Sequence, residues 1–280
     1  MKKFIHDDFL LETDYAKELY HNYAESQPII DFHCHLPVNE IADNKNFANM
    51  TRIWIEGDHY KWRAMRALGI EEKYITGDAT DEEKFLKWAE TVPYTLRNPL
   101  YHWTHMELSR YFGVDKILSP KTASEVYGIC NEKLNTSDFS TQQLLERMHV
   151  KVVCTTDDPL DNLSDHAKLG NSGFSTEVLP TFRPDGLIDI EKDDFLNYLK
   201  RLSEITDIEI TDFESLKEAI GVRVEFFHTH GCRLSDHGLT HAFGESFTPD
   251  QINGILRLRL DGKSISKIEV TKYKSAIMHT

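Results

Sequence analysis

The sequence predicts an α/β protein built from parallel βα units, of the (β/α)8 TIM-barrel type. Three observations predict it. After residue 149, short apolar or β-branched runs alternate with helix-like stretches. Each strand-like run ends in a polar cluster: His33 and His35, then Thr156-Asp157-Asp158, then Arg183 to Asp185, then Gly231 to Gly238. None is followed by a Gly-rich phosphate loop, which argues against the alternative, an open doubly wound sheet. A barrel builds its site from polar residues at the carboxyl ends of successive parallel strands.

Residues 14 to 25 read as helical and lead into a strand at about 28 to 34. In Ile29-Ile30-Asp31-Phe32-His33-Cys34-His35-Leu36, alternation places His33 and His35 on one face, roughly 6.5 to 7 Å apart. Ile30, Phe32 and Cys34 point the other way, as the apolar face of a buried strand would. From 40 to 148 the pattern is helical. Gly69 and Gly113 stand where helices end, and Thr122-x-x-Glu125 and Ser140-x-x-Gln143 have capping-box spacing. Val150 to Thr156 and Val178 to Phe182 read as the second and third strands. A helix follows with Phe195, Leu199 and Leu202 on one face, and Thr211-x-x-Glu214 has the spacing to cap the next. Gly221-Val222-Arg223-Val224-Glu225-Phe226-Phe227 alternates as a fourth strand. Thr248-Pro249-Asp250-Gln251 is a strong helix start. A closed barrel needs eight strands, and the final stretch, Lys272 to Thr280, reads as a helix without a stop signal. The expectation is a single partial barrel domain over 1–280, truncated after about four strands, with 40–148 as a helical insertion after the first strand.

With 40% hydrophobic residues the chain can bury a substantial core. A net charge of -14 with no Lys/Arg block argues against nucleic acid or an anionic membrane surface as main partner. A few local Arg residues still allow an anionic small substrate. Cys34, Cys130, Cys154 and Cys232 are far apart in sequence and read as reduced thiols rather than a disulfide framework. The opening Met1-Lys2-Lys3-Phe4-Ile5-His6-Asp7-Asp8 has no apolar signal core, and no run approaches the ~20 apolar residues of a membrane span. A cytoplasmic setting is expected.

Two His-x-His pairs occur, His33/His35 and His228/His230. Either can chelate a divalent metal such as zinc, which then polarises a hydroxyl or carbonyl or activates water. With 14 His in 280 residues the spacing alone is weak, and hydrogen-bonded loop histidines are the plain alternative.

Five segments carry more. They are Ile30 to Leu36, Asp58-His59-Tyr60-Lys61-Trp62-Arg63-Ala64-Met65-Arg66, Tyr101 to Leu108, Leu179-Pro180-Thr181-Phe182-Arg183-Pro184-Asp185, and Gly231-Cys232-Arg233-Leu234-Ser235-Asp236-His237-Gly238. In order and spacing the chain resembles the uronate isomerase family (glucuronate and galacturonate isomerases), a branch of the amidohydrolase superfamily. The family's helical insertion matches 40–148. The resemblance implies an aldose–ketose isomerase using zinc or another divalent metal, converting D-glucuronate to D-fructuronate and D-galacturonate to D-tagaturonate. It makes His33 and His35 the metal ligands. Tyr60 becomes the acid/base group for proton transfer between C1 and C2, with His59 beside the substrate. Arg183 becomes the bidentate partner of the uronate carboxylate. Asp236 becomes a group that binds sugar hydroxyls or moves a proton. The plain alternatives are a surface Tyr60, a structural ion pair at Arg183 and a turn-capping Asp236. Arg233 and His237 read as scaffolding, His228 and His230 as non-ligands, and Trp103 and His105 as packing residues.

The family's further metal-ligating Asp, a nearby Arg and a His after the fifth strand match no position here. The sequence therefore reads as the amino-terminal portion, a half-barrel with an open strand edge and an exposed apolar stripe on its last helix. Alone, such a chain is expected to be an incomplete catalyst. The expected partner is a hexuronate, with homo-oligomerisation left open for the complete protein. Two rivals stand beside this expectation: another amidohydrolase-type metal-dependent hydrolase, and a non-catalytic fragment.

Overall fold

Three short strands form one sheet in the order β1-β2-β3, with β1 at Ile29–Asp31, β2 at Val150–Cys154 and β3 at Glu177–Leu179. The structure, a computed structural model, describes residues 3–280; Met1 and Lys2, which open the polar amino-terminal stretch, lie outside it. β2 and β3 are parallel, in the register Val152↔Glu177, Val153↔Val178, Cys154↔Leu179. Parallel bridges Asp157↔Phe182 and Phe182↔Ser235 carry the pairing past the strand ends. The chain forms two compact units: residues up to Ile29 with Asp43–His149, and Ile30–Ala42 with Val150–Thr280.

The first unit is helical. Its helix Asp81–Thr91 starts in a reciprocal capping box between Thr80 and Glu83 and buries Phe85, Trp88 and Ala89, an apolar stripe at helical spacing that Val92 extends. Gly69 and Gly113, both at positive φ, follow the helices His59–Ala67 and Pro99–Arg110 as read from the sequence. The two capping boxes read at Thr122 and Ser140 do not form. Thr122 sits in the αR region, unlike the extended backbone a cap needs, and its hydroxyl donates to the Ile117 and Ser119 carbonyls. The Ser140 hydroxyl is buried without a partner.

The second unit packs helices around the sheet. Phe195, Tyr198, Leu199 and Leu202 of Phe195–Thr206 meet Phe213, Leu216, Ala219 and Phe227 in one core. Three sequence expectations change here. Residues 221–227, read as a fourth strand, are the second half of helix Phe213–Thr229, whose capping box is Asp212 with Ser215 rather than Thr211 with Glu214. Phe213, Leu216, Ile220, Arg223 and Phe227 are buried at helical spacing, while Val222 and Val224, the apparent strand face, are exposed. The place beside β3's end is taken instead by Leu234 to Asp236: the Phe182 N–H donates to the Leu234 carbonyl and the Asp236 N–H to Phe182. The first strand is not buried. Ile30 and, just past β1, Phe32 are 63% and 71% exposed, because nothing among the described residues covers that face. The last helix, Lys267–Met278, presents no exposed apolar stripe; Tyr273, Ala276 and Ile277 are in the core.

All four cysteines are free thiols, three of them buried. Among the described residues no helix is long and apolar enough to cross a membrane. In the first unit His105 is buried, as expected of a packing residue, whereas Trp103 is exposed. The His105 Nδ1–H donates to the Tyr101 carbonyl at 2.7 Å, and Nε2 accepts from the Leu118 N–H at 3.0 Å. That pair of bonds requires neutral imidazole, and burial lowers its pKa from 6.5.

Two outcomes are expected. Because His105 binds a proton less readily folded than unfolded, its stabilising contribution is complete above pH 6.5 and is lost as pH falls below that value, by at most about 1.4 kcal/mol per pH unit. Urea unfolding of His105→Gln should show a shallower acid decline than wild type; parallel declines would refute this. Second, a Cβ at Gly186 would run into the Tyr198 ring, which is buried and donates its hydroxyl to Asp158 at 2.9 Å. Gly186→Ala should cost about 1–3 kcal/mol in the same assay, and an unchanged midpoint would contradict the packing.

Candidate active site

The candidate site in the second unit is placed by backbone hydrogen bonds. The Cys34 N–H donates to the Cys154 carbonyl, which holds His33-Cys34-His35 beside the end of β2. Thr155 donates to Leu179, Asp157 to Thr181, and Arg183 to Asp157. The link from Phe182 to Leu234 and back from Asp236 then adds the Ser235-Asp236 loop.

These bonds bring four of the predicted site residues together: His33, His35, Arg183 and Asp236. The His33 and His35 rings lie edge to face, their centres 5.0 Å apart. His33 Nδ1 is 3.5 Å from an Asp236 carboxylate oxygen, and Arg183 Nη1 donates to that same oxygen at 2.7 Å. Arg183 Nε donates to Asp185 Oδ2 at 2.8 Å, while Asp185 Oδ1 accepts from the Gly238 N–H at 3.0 Å. The hydrogen bond to Asp185 is the largest of the effects that raise the Arg183 pKa. Arg183 thus already bridges two carboxylates of its own chain. A Cβ at Gly238 would come within 2.7 Å of Arg183 Nη2 and Asp185 Oδ2, so the ends of these two side chains would have to shift. His35 Nδ1 is 3.0 Å from the Thr156 hydroxyl.

Beneath them lies a buried polar layer. The Thr155 hydroxyl donates to Asp157 Oδ2 at 2.7 Å and lies 2.8 Å from His166 Nε2, and the Thr181 N–H reaches the same carboxylate oxygen. Burial raises the Asp157 pKa and lowers that of His166. Buried Arg223 donates to the carbonyls of Pro159 and Asp161 and so pins the loop after β2.

His59 and Tyr60 open a helix of the first unit. Asp58 is its N-cap, accepting from the Tyr60 and Lys61 N–H groups at 2.9 Å each. Tyr60 is 66% exposed, with the Arg63 guanidinium 5.8 Å from its ring centre. Within that unit Tyr60, Arg63 and Trp103 line a cleft of about 410 Å³. The His59 ring packs edge-on against Trp62 at 5.0 Å. The second His pair sits at the end of Phe213–Thr229: His230 Nδ1 bonds the Phe226 carbonyl and His228 lies against Arg233.

Sequence reasoning did not single out Thr156, Asp185 or Gly238. Each stood in a strand-end polar cluster, but nothing in residue type or spacing distinguished it from its neighbours.

A parallel sheet with paired imidazoles and an Arg–carboxylate network at its carboxyl ends defines a protein of the α/β class with a polar strand-end site. The chain belongs to the glucuronate isomerase family, whose family model matches residues 1–280. It is 50% identical over 280 residues to a uronate isomerase of Bacteroides fragilis, covering 99% of this chain and 60% of that protein. To a uronate isomerase of Geobacillus thermodenitrificans it is 49% identical over 276 residues, covering 98% and 59%. The crystal structure of uronate isomerase from Thermotoga maritima matches with a TM-score of 0.94 at 31% identity, covering 99% of this chain and 61% of that one. Glucuronate isomerase from Caulobacter crescentus shares the fold, with a TM-score of 0.91 at 23% identity over 98% and 59% of the two chains. The chain thus spans about 60% of the length of the curated relatives it matches.

Gly238→Ala is expected to expel the Arg183 guanidinium from its bridge. In NMR spectra the Arg183 Nε–H should lose its protection from solvent exchange, whereas Gly254→Ala, where an added Cβ meets nothing within 4 Å, should leave it intact. A protected Arg183 Nε–H in Gly238→Ala would refute the crowding.

Proposed function

We propose that this chain serves the aldose–ketose isomerisation of hexuronates, D-glucuronate to D-fructuronate and D-galacturonate to D-tagaturonate, on a (β/α)8 barrel of amidohydrolase type. The observation that carries this is the gathering of His33, His35, Arg183 and Asp236 at the ends of parallel strands in a member of the glucuronate isomerase family. The parallel register of β2 and β3, continued to Ser235, supports the barrel.

The His pair suits a zinc ion. The two imidazoles lie edge to face with their ring centres 5.0 Å apart, and imidazole nitrogen is a donor type that zinc accepts. His33 and His35 would hold the ion; among the described residues no group of three or more His, Cys, Asp or Glu is gathered for one. A bound divalent cation would supply Lewis-acid polarisation of a sugar oxygen.

The protein's own groups divide the remaining work. Isomerisation moves a proton between C1 and C2 through an enediol, and Tyr60 is the group assigned to that transfer, with Arg63 as the adjacent cation. Arg183 meets the uronate carboxylate through the N–H groups left on Nη1 and Nη2, since its Nε–H and one Nη1–H already serve Asp185 and Asp236. Asp236 accepts from sugar hydroxyls, and His59 lines the substrate. The charge of -14 argues against nucleic acid or an anionic membrane surface as partner, and a small anionic substrate in the cytoplasm would depend on the local Arg183.

The test is conversion of both hexuronates by protein spanning the full family length, with substitutions at these positions. Tyr60→Phe should lower kcat by 10²-fold or more with little change in KM, because it removes a proton-transfer group. Arg183→Lys should instead raise KM, through loss of the planar fork. An unaltered kcat in the first or an unaltered KM in the second would remove that residue's assigned role.

A further inference from the structure

We infer that Thr156 is a positioning residue for the His pair, holding His35 in the Nδ1–H tautomer and leaving Nε2 as the bare, electron-donating nitrogen. The metal consequence rests on the zinc reading above; the tautomer does not.

The inference follows from counting protons. The Thr156 hydroxyl lies 3.0 Å from His35 Nδ1 and 3.3 Å from the Cys34 carbonyl oxygen. The carbonyl can only accept, the hydroxyl has one proton, and a neutral imidazole has one N–H. If the hydroxyl donated to Nδ1, the imidazole proton would sit on Nε2 and the Cys34 carbonyl would lose this donor. The relay His35 Nδ1–H to Thr156 Oγ, then Thr156 O–H to Cys34 C=O, uses every group once. It also leaves Nε2 unprotonated, the form a metal ligand requires.

Thr156 is held well enough to impose this choice. The neighbouring N–H groups of Thr155 and Asp157 are tied to the Leu179 and Thr181 carbonyls, and their side chains belong to the buried layer with His166. The other histidine is arranged alike: His33 Nδ1 faces the Asp236 carboxylate at 3.5 Å. Both Nδ1 atoms therefore face an oxygen of the chain.

The test begins with metal-free wild-type chain, its histidines labelled with nitrogen-15, well above the ordinary histidine pKa. Long-range proton–nitrogen spectra should show His35 protonated at Nδ1 only. Thr156→Val, which keeps the volume and removes the hydroxyl, should give a mixture of tautomers and weaken zinc binding by about 10–100-fold in chelator competition. Thr156→Ser should restore both, and backbone spectra report whether each variant is folded. A wild-type His35 protonated at Nε2 would overturn the inference without any variant. So would a folded Thr156→Val with an unchanged tautomer. If the tautomer shifts as expected but wild type binds no zinc, the zinc reading fails and the tautomer assignment stands.

Discussion

One backbone ladder decides where every side chain of the strand-end site stands. β2 and β3 are short, yet their parallel pairing continues through Thr155, Asp157, Thr181 and Arg183 to Phe182, Leu234 and Asp236. A one-residue slip in such a ladder would turn each side chain to the opposite face. Arg183 would then leave Asp236, and Thr156 would leave His35. The ladder also explains how residues up to about two hundred positions apart can be held within hydrogen-bond distance with so little regular strand.

Its weak point is that ionisable groups lie buried within it. Asp157 and His166 are 7% and 5% exposed, and neither has a full charge partner; their closest approach is 3.7 Å. Burying a carboxylate is costly unless its oxygens are hydrogen-bonded. Here Oδ2 accepts from the Thr155 hydroxyl and the Thr181 N–H, the latter from the neighbouring strand end. The carboxylate thus completes the ladder where backbone pairing thins out. An apolar residue of similar size would avoid the desolvation but leave the Thr181 N–H and the Thr155 hydroxyl without this acceptor, a cost of about 1–3 kcal/mol per buried group.

Much of the second unit was legible in the sequence because its signals are short-range. Apolar runs followed by polar clusters marked β2, β3 and the Arg183 end, and Thr248-Pro249-Asp250-Gln251 forms the capping box it announced. The misreading at residues 221–227 has a definite cause. Val222, Val224 and Phe226 alternate with Arg223 and Glu225 as a strand would. In the helix Arg223 is buried, because its guanidinium donates to two carbonyls of the loop after β2, some sixty residues earlier in the chain. No local window contains that information. The same holds for Asp185 and Thr156, whose importance lies in Gly238 and His35, distant partners that spacing cannot reveal. The exposure of Ile30 and Phe32 was also hidden: an apolar strand face is written alike whether or not anything covers it.

The charges of the cluster link the two roles assigned to it. Arg183 contributes one positive charge and its partners Asp185 and Asp236 two negative ones, so with neutral imidazoles the group carries -1. A hexuronate carboxylate approaching Arg183 would meet a site of its own sign, in a chain whose overall charge is -14. At an effective dielectric of about 20, like unit charges about 4 Å apart repel by about 4 kcal/mol, enough to cancel much of what a guanidinium–carboxylate contact offers. A divalent ion held by His33 and His35 would change the local sum from -1 to +1. Under the proposed function, this arithmetic would make the His pair and Arg183 parts of one electrostatic device: Arg183, already engaged by two carboxylates, would serve as an anion receptor only with a positive charge held by the imidazoles beside it.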